Sequence, residues 1–314
     1  MKTFFCTLMK IFAMIAVALA ATGVMAAESG GSARFNVATY NIRQLNADDD
    51  ARGDSWQRRH SVVADLIRFH DFDIFGTQEG FHSQLEDLKG LLPGYEYIGR
   101  GRDDGDKAGE HSAIFYRTDL FEAVDHGDFW LSENPQTPGL GWDAVCVRIC
   151  TWGRFRHIPT GREFLMFNLH MDHVGQVARR ESARLIRDKI IQLGDSLPAM
   201  LTGDFNVDQR SDAYRTVLEC GLIDSHDAAA MVYETNGTFN DYRTDAFSDQ
   251  RIDHIFVSPG IIVEKYGILT DTYRSDEGGE VKPAGANAPS ELMIGNFKAR
   301  VPSDHFPVRA TVVL

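Results

Sequence analysis

Pro302-Ser303-Asp304-His305-Phe306-Pro307-Val308-Arg309-Ala310-Thr311-Val312-Val313-Leu314 is the stretch that decides the reading of this chain. Its second half is rich in β-branched residues, as a strand requires. Its first half sets an Asp-His pair at that strand's mouth, where a scaffold presents it rigidly. Working outward, matching chemistry recurs at Tyr40-Asn41-Ile42-Arg43, Thr77-Gln78-Glu79-Gly80, His170-Met171-Asp172-His173 and Gly203-Asp204-Phe205-Asn206, and at Arg251-Ile252-Asp253-His254. Hard oxygen ligands and imidazoles at separate strand ends suit a divalent cation and a phosphoester.

The intervening sequence reads as strands and helices in a single domain. Strands are expected at residues 35–41, 73–79, 113–116, 145–155, 163–170, 200–204, 252–257, 260–269 and the terminus. Helices are expected at residues 56–70, 85–92, 177–193 and 212–220, with Trp56, Val63, Leu66 and Ile67 on the inner face of the first. Residues 275–301, rich in Gly, Pro and Ala, read as a long loop running into Ser303-Asp304-His305. A loop of that length is often functional, so it is expected to form a lid or rim. Residues 99–105, with Arg100 and Arg102, read as a mobile turn of mixed charge. Trp130, Trp142 and Trp152 are expected to be buried.

Residues 1–26 read as a cleaved signal peptide. Lys2 and Lys10 precede an apolar run too short to span a bilayer, and Val24-Met25-Ala26 ends in a small-x-small site. The remaining 27–314 form the domain, so the protein is expected to be periplasmic or secreted, without a transmembrane segment. Net charge is −13 over the 314 residues and −15 once the two leader lysines are removed. Such a field repels polyanions, which disfavours a long nucleic-acid substrate and leaves room for a small phosphoester in a locally basic pocket. Cys146 and Cys150 lie too far apart in an extended run to bridge, and read as buried thiols. No feature signals oligomerisation.

Asn41, Gln78-Glu79, His170-Met171-Asp172-His173, Gly203-Asp204-Phe205-Asn206, Arg251-Ile252-Asp253 and Ser303-Asp304-His305 together resemble the ordered motifs of the endonuclease/exonuclease/phosphatase superfamily. The likeness runs from Phe35 to Leu314 and points to a secreted bacterial branch. It implies an α/β (α+β) fold, a four-layer αββα sandwich of two packed mixed sheets with outer helices. It also implies a metal edge of Asn41, Glu79 and Asp304 holding Mg²⁺, with Mn²⁺ as the alternative. Catalytic roles fall on His170, Asp204, Asn206, Asp253 and His305, with Asp253 fixing the His305 tautomer. Arg43, Asp172 and Arg148 are candidate substrate contacts, and His173 matches a weaker position. Asp204 and His305 are both chemically able to act as general base. An imidazole paired with an aspartate should be cationic, which favours His305 as a clamp and Asp204 as the base.

The expected activity is in-line hydrolysis, by water, of a phosphodiester or phosphomonoester of the sugar or lipid-head-group type. A secreted nuclease is the alternative within that chemistry, and a catalytically silent scaffold the alternative outside it. The whole reading requires the Glu79 carboxylate and the His305 imidazole to lie within about 10 Å, the reach of one ion and one phosphoryl group.

Overall fold

The computed structural model describes residues 31–314 except Asp195 and Cys220, and its compact unit is Ser32–Leu314. The leader read at residues 1–26 lies outside the described residues. The principal strands are β1 (Arg34–Asn41), β2 (Ile74–Gln78), β3 (Tyr95–Ile98), β4 (Ile114–Arg117), β5 (Phe121–Trp130), β6 (Ile149–His157), β7 (Glu163–His170), β8 (Ala199–Asp204), β9 (Ile223–Asp224), β10 (Met231–Tyr233), β11 (Asp253–Val257), β12 (Ile262–Ile268) and β13 (Val308–Val313). They form a seven-stranded sheet, β10-β12-β13-β1-β2-β4-β3, and a six-stranded sheet, β9-β11-β8-β7-β6-β5.

Alternation along the strands explains why the sheets stack. Phe35 and Val37 of β1, Ile74 of β2, Met166 of β7, Met200 of β8 and Val308 of β13 share one buried cluster between the sheets. The opposite faces carry Ala38, Tyr40 and Phe75 on one side, and Leu165, Phe167 and Leu201 on the other. Helices α2 (Trp56–Phe69) and α3 (His82–Leu91), which follow the short α1 (Ala47–Arg52), cover the first outer face through Val63, Ile67 and Leu85. Helices α4 (Gln176–Gly194) and α5 (Asp212–Leu218) cover the second through Ile186 and Val217. The result is the four-layer sandwich.

Each sheet is centred on a parallel pair, β1 with β2 and β7 with β8. Each pair has an antiparallel neighbour, β13 beside β1 and β11 beside β8. The ends of the parallel strands and the starts of the antiparallel ones therefore meet at one edge. Inward-facing residues grade from apolar to polar toward that edge: Phe35, Val37, Thr39 and Asn41 on β1, and Phe164, Met166, Asn168 and His170 on β7. Halfway along, Asn168 pins the sheets together. Its Oδ1 accepts from Gln78 Nε2 at 2.7 Å and Thr202 Oγ1 at 3.0 Å, and its Nδ2 donates to the carbonyls of Thr77 at 2.8 Å and Ala113 at 3.0 Å. Gly76 makes room for it, since a Cβ there would meet Asn168 Oδ1 at 2.1 Å.

Several sequence expectations change. The run at 145–155 becomes a strand only from Ile149. β5 was not anticipated. Residues 273–300 form an arm of two short ladders, Tyr273–Asp276 with Phe297–Arg300 and Lys282–Pro283 with Met293–Ile294, not an unstructured loop. Cys146 and Cys150 are free thiols, and only Cys150 is fully buried. No helix among the described residues is long and apolar enough to cross a membrane.

Candidate active site

At the polar edge lies a cavity of about 520 Å³ lined by both sheets. Its floor is acidic. Ligand atoms of Glu79, Asp204 and His305 all lie within 4.8 Å of one another, well inside the 10 Å the sequence reading demanded. Asn41 Nδ2 donates to Glu79 Oε1 at 2.9 Å and to Asp204 Oδ2 at 3.1 Å, tying the first sheet to the second.

Turns, not extended strands, aim these groups. Strand alternation would put Asn206 on the Asp204 face and Arg43 on the Asn41 face. Instead the chain leaves β1 and β8 through two like turns. Asn41 Oδ1 accepts the Arg43 N–H at 3.0 Å, and Asp204 Oδ1 accepts the Asn206 N–H at 2.9 Å, each a side chain bonding its own backbone two residues on. Arg43 (φ 60°), Glu79 (φ 67°) and Asn206 (φ 52°) all adopt the left-handed region. That region is uncommon for Arg and Glu, and such strain concentrates at functional sites. Without its turn, Glu79 would follow strand alternation away from the cavity.

Two imidazoles flank Asp204. His305 Nε2 lies 3.7 Å and His170 Nε2 3.5 Å from Asp204 Oδ2. Behind His305, Nδ1 meets Asp253 Oδ2 at 2.8 Å, and the Asp253 N–H donates to Thr238 Oγ1 at 3.1 Å. Behind His170, Nδ1 faces Glu110 at 3.8 Å. The two rings differ in charge. Burial pulls His305 down, but the Asp253 and Asp204 carboxylates outweigh it and hold the imidazolium well above the ordinary histidine value. Burial, aided by Arg148 and Arg102, keeps His170 well below it, and so neutral.

The acids are short of positive charge. Burial, and then the neighbouring Asp253, push Asp204 up to about 7. Burial raises Asp304 to about 6, with His305 and Arg43 opposing and Glu79 reinforcing the rise. One guanidinium nitrogen, Arg43 Nη1, stands 3.4 Å from Asp304 and 3.9 Å from Glu79. A crowded set of hard carboxylate oxygens around buried space fits Mg²⁺ or Mn²⁺.

Most expected site residues converge here, and three are placed differently from expectation. Asn41 turns its amide nitrogen to the acids and braces them, while its oxygen accepts the Arg43 N–H. Arg43 lines the cavity, yet its Nε is bonded to Asp49 at 2.9 Å and its head to the acids, so it balances charge. Asp172 does not line the cavity. Its two oxygens accept the backbone N–H groups of Val145, Cys146, Val174 and Gly175, which fastens the loop carrying Arg148. Arg148 does line the cavity, with His170 and His173.

Other lining residues were missed. Arg102 was read as part of a mobile turn, but its Nη1 bonds Glu110 at 2.6 Å and its carbonyl accepts from Trp130 Nε1 at 2.7 Å. Glu110 lines the cavity too, and burial pushes it up to about 7. Phe239, Asp241 and Tyr242 line it from a strap that pairs Phe239 with His305. The arm at 273–300 contributes no lining residue, so the expected lid is not there.

The sequence model described as Endonuclease/Exonuclease/phosphatase family matches residues 38–305. A solved family protein from Bacteroides thetaiotaomicron is 53% identical, covering 90% of this chain and 98% of that one, with a TM-score of 0.83. The mannosyl-6-phosphatase of Bacteroides thetaiotaomicron VPI-5482 is 54% identical, covering 89% and 100%, with a TM-score of 0.82. An uncharacterized protein of Acanthamoeba polyphaga mimivirus is 28% identical over 164 residues, 49% of this chain and 60% of that protein's length. With the family match spanning residues 38–305 and the sandwich shared, the chain belongs to the endonuclease/exonuclease/phosphatase family.

Proposed function

We propose that this protein is an exported Mg²⁺-dependent phosphatase that removes the phosphoryl group from a small sugar-type phosphate monoester. The observation that carries the reading is the convergence of Glu79, Asp204 and His305 from three distant stretches of chain. The substrate class is supported by likeness to a protein named for a mannosyl 6-phosphate. Export is supported by the sequence of residues 1–26.

The chain's own residues suffice to orient attack. Asp204, near neutrality in its proton affinity, takes a proton from the attacking water. Its other oxygen is held by the Asn206 N–H, so the carboxylate cannot rotate away. The His305 imidazolium, braced by Asp253, holds a phosphoryl oxygen as negative charge builds. Neutral His170 stands on the opposite flank of Asp204, with Nε2 accepting from Asn206 Nδ2 at 3.0 Å. The new P–O bond forms in line with the one that breaks, and configuration inverts. A divalent cation held by Glu79 and Asp304 would neutralise the phosphoryl oxygens and offset the crowded acids.

A panel of phosphoesters assayed with Mg²⁺, Mn²⁺ and chelator tests this reading. Hexose 6-phosphates should be hydrolysed with either metal and not with chelator, and an Asp204→Ala His305→Ala protein should be inactive. Turnover undiminished by chelator, or retained in the double variant, overturns it.

A further inference from the structure

The cavity also has a basic wall. Arg102 and Arg148 line it together with His170. Arg148 is only 5% exposed. Each guanidinium is fixed from behind. Arg102 is anchored by Glu110 through a 2.6 Å bond. Arg148 Nη2 bonds His173 Nδ1 at 3.1 Å, and its Nε lies 3.7 Å from Asp172. Asp172 is already filled by four backbone N–H groups, so it orients Arg148 electrostatically without bonding it.

The wall has unspent hydrogen-bonding capacity. Arg102 Nε, Arg148 Nε and His170 Nδ1 are all buried and none has a hydrogen-bond partner. Nearly all buried polar groups find partners, so these three orphans are unspent capacity on residues that all line the cavity.

The ligand's chemistry follows from charge. A phosphate monoester carries about −1.5 to −2 charge near neutrality on three terminal oxygens. A diester carries one charge on two, with a second organic group in place of the third oxygen. The floor serves the oxygens turned toward the cation and the attacking water. Two rigidly held guanidiniums in the same cavity match the extra oxygen and extra charge, and Arg forks suit phosphate oxygens better than any other side chain.

We infer that Arg148 and Arg102 form the recognition wall that selects phosphate monoesters over diesters. This rests on the phosphatase reading above and names the residues that set its substrate class.

The test compares p-nitrophenyl phosphate with bis(p-nitrophenyl) phosphate, both with Mg²⁺. The unmodified protein should favour the monoester in kcat/KM. Arg148→Met should lower the monoester-to-diester ratio by about 10- to 100-fold, the scale of a charge-assisted hydrogen bond, and Arg102→Met should lower it in the same direction. If Arg148→Met does not fold, Arg148→Lys, which keeps the charge but loses the fork, carries the comparison. On the unmodified protein, inorganic phosphate should inhibit at least about tenfold more strongly than dimethyl phosphate. An unchanged ratio in the folded variants, equal loss on both substrates, or equal inhibition by the two anions overturns the wall. Absence of metal-dependent turnover of either ester by the unmodified protein instead overturns the phosphatase reading itself.

Discussion

His305 is the residue on which the site's charge balance turns. Its imidazolium is held by Asp253 and Asp204 against the pull of burial. Asp253→Asn should therefore lower kcat by about 10²–10³-fold, while Asp253→Glu recovers part of the loss; steady-state rates on a hexose 6-phosphate check this. The same pairing sets a pH dependence in the metal-free protein. The folded value lies above the unfolded value of about 6.5, so the pairing's stabilisation is fully present below about pH 6.5 and is lost as pH rises through the folded value. Urea unfolding of wild type and Asp253→Asn should show a gap that narrows toward alkaline pH; a gap independent of pH contradicts the assignment. The Asp-His pair at 304–305 was legible in sequence because ligand-type residues at strand mouths are unusual in combination. Glu110 and Arg102 were not legible. A lone acid and a lone arginine in a Gly-rich turn carry no pattern, and only folding back against Trp130 brings them to the cavity.

At the scale of elements, the site depends on how the two sheets are pinned. Asn168→Ala would remove its four hydrogen bonds, to Gln78, Thr202 and the carbonyls of Thr77 and Ala113, and should destabilise the protein by about 2–4 kcal/mol in urea unfolding. Gly76→Ala should do similar damage, because its new methyl group falls on Asn168. The central strands were readable because both faces are buried and their apolar runs are continuous. β5 was not, since Glu122, Asp125 and His126 are exposed on an edge strand and break any apolar alternation. The arm at 273–300 was read as loop for a like reason. Its ladders are only two to four residues long and hold Gly and Pro between them. Replacing residues 279–295 with a short Gly-Ser turn, keeping Glu277 and Arg300, should leave KM for a small phosphoester within about twofold, since no lining residue is lost. A larger rise would restore the lid.

The molecule as a whole is acidic, with net charge −13, yet Arg43, Arg52, Arg102 and Arg148 line its cavity together with the acids. Small anions can be drawn into such a pocket while long polyanions are repelled by the surrounding surface. Raising salt from about 50 to 200 mM should change kcat/KM for a hexose phosphate by less than about tenfold. A nuclease gripping many phosphates would lose about 10³–10⁵ in affinity over the same range. The register of the first sheet has one more consequence. Arg34 pairs with Val313, at the far end of the same two strands whose other ends carry Asn41 and His305. Arg34 and Val313 thus lie side by side, about 25 Å from the catalytic mouth along an eight-residue strand. A bead attached through a residue at that far edge would hold the enzyme by its heel with the opening turned outward, and such an immobilised preparation should work as fast as the free protein.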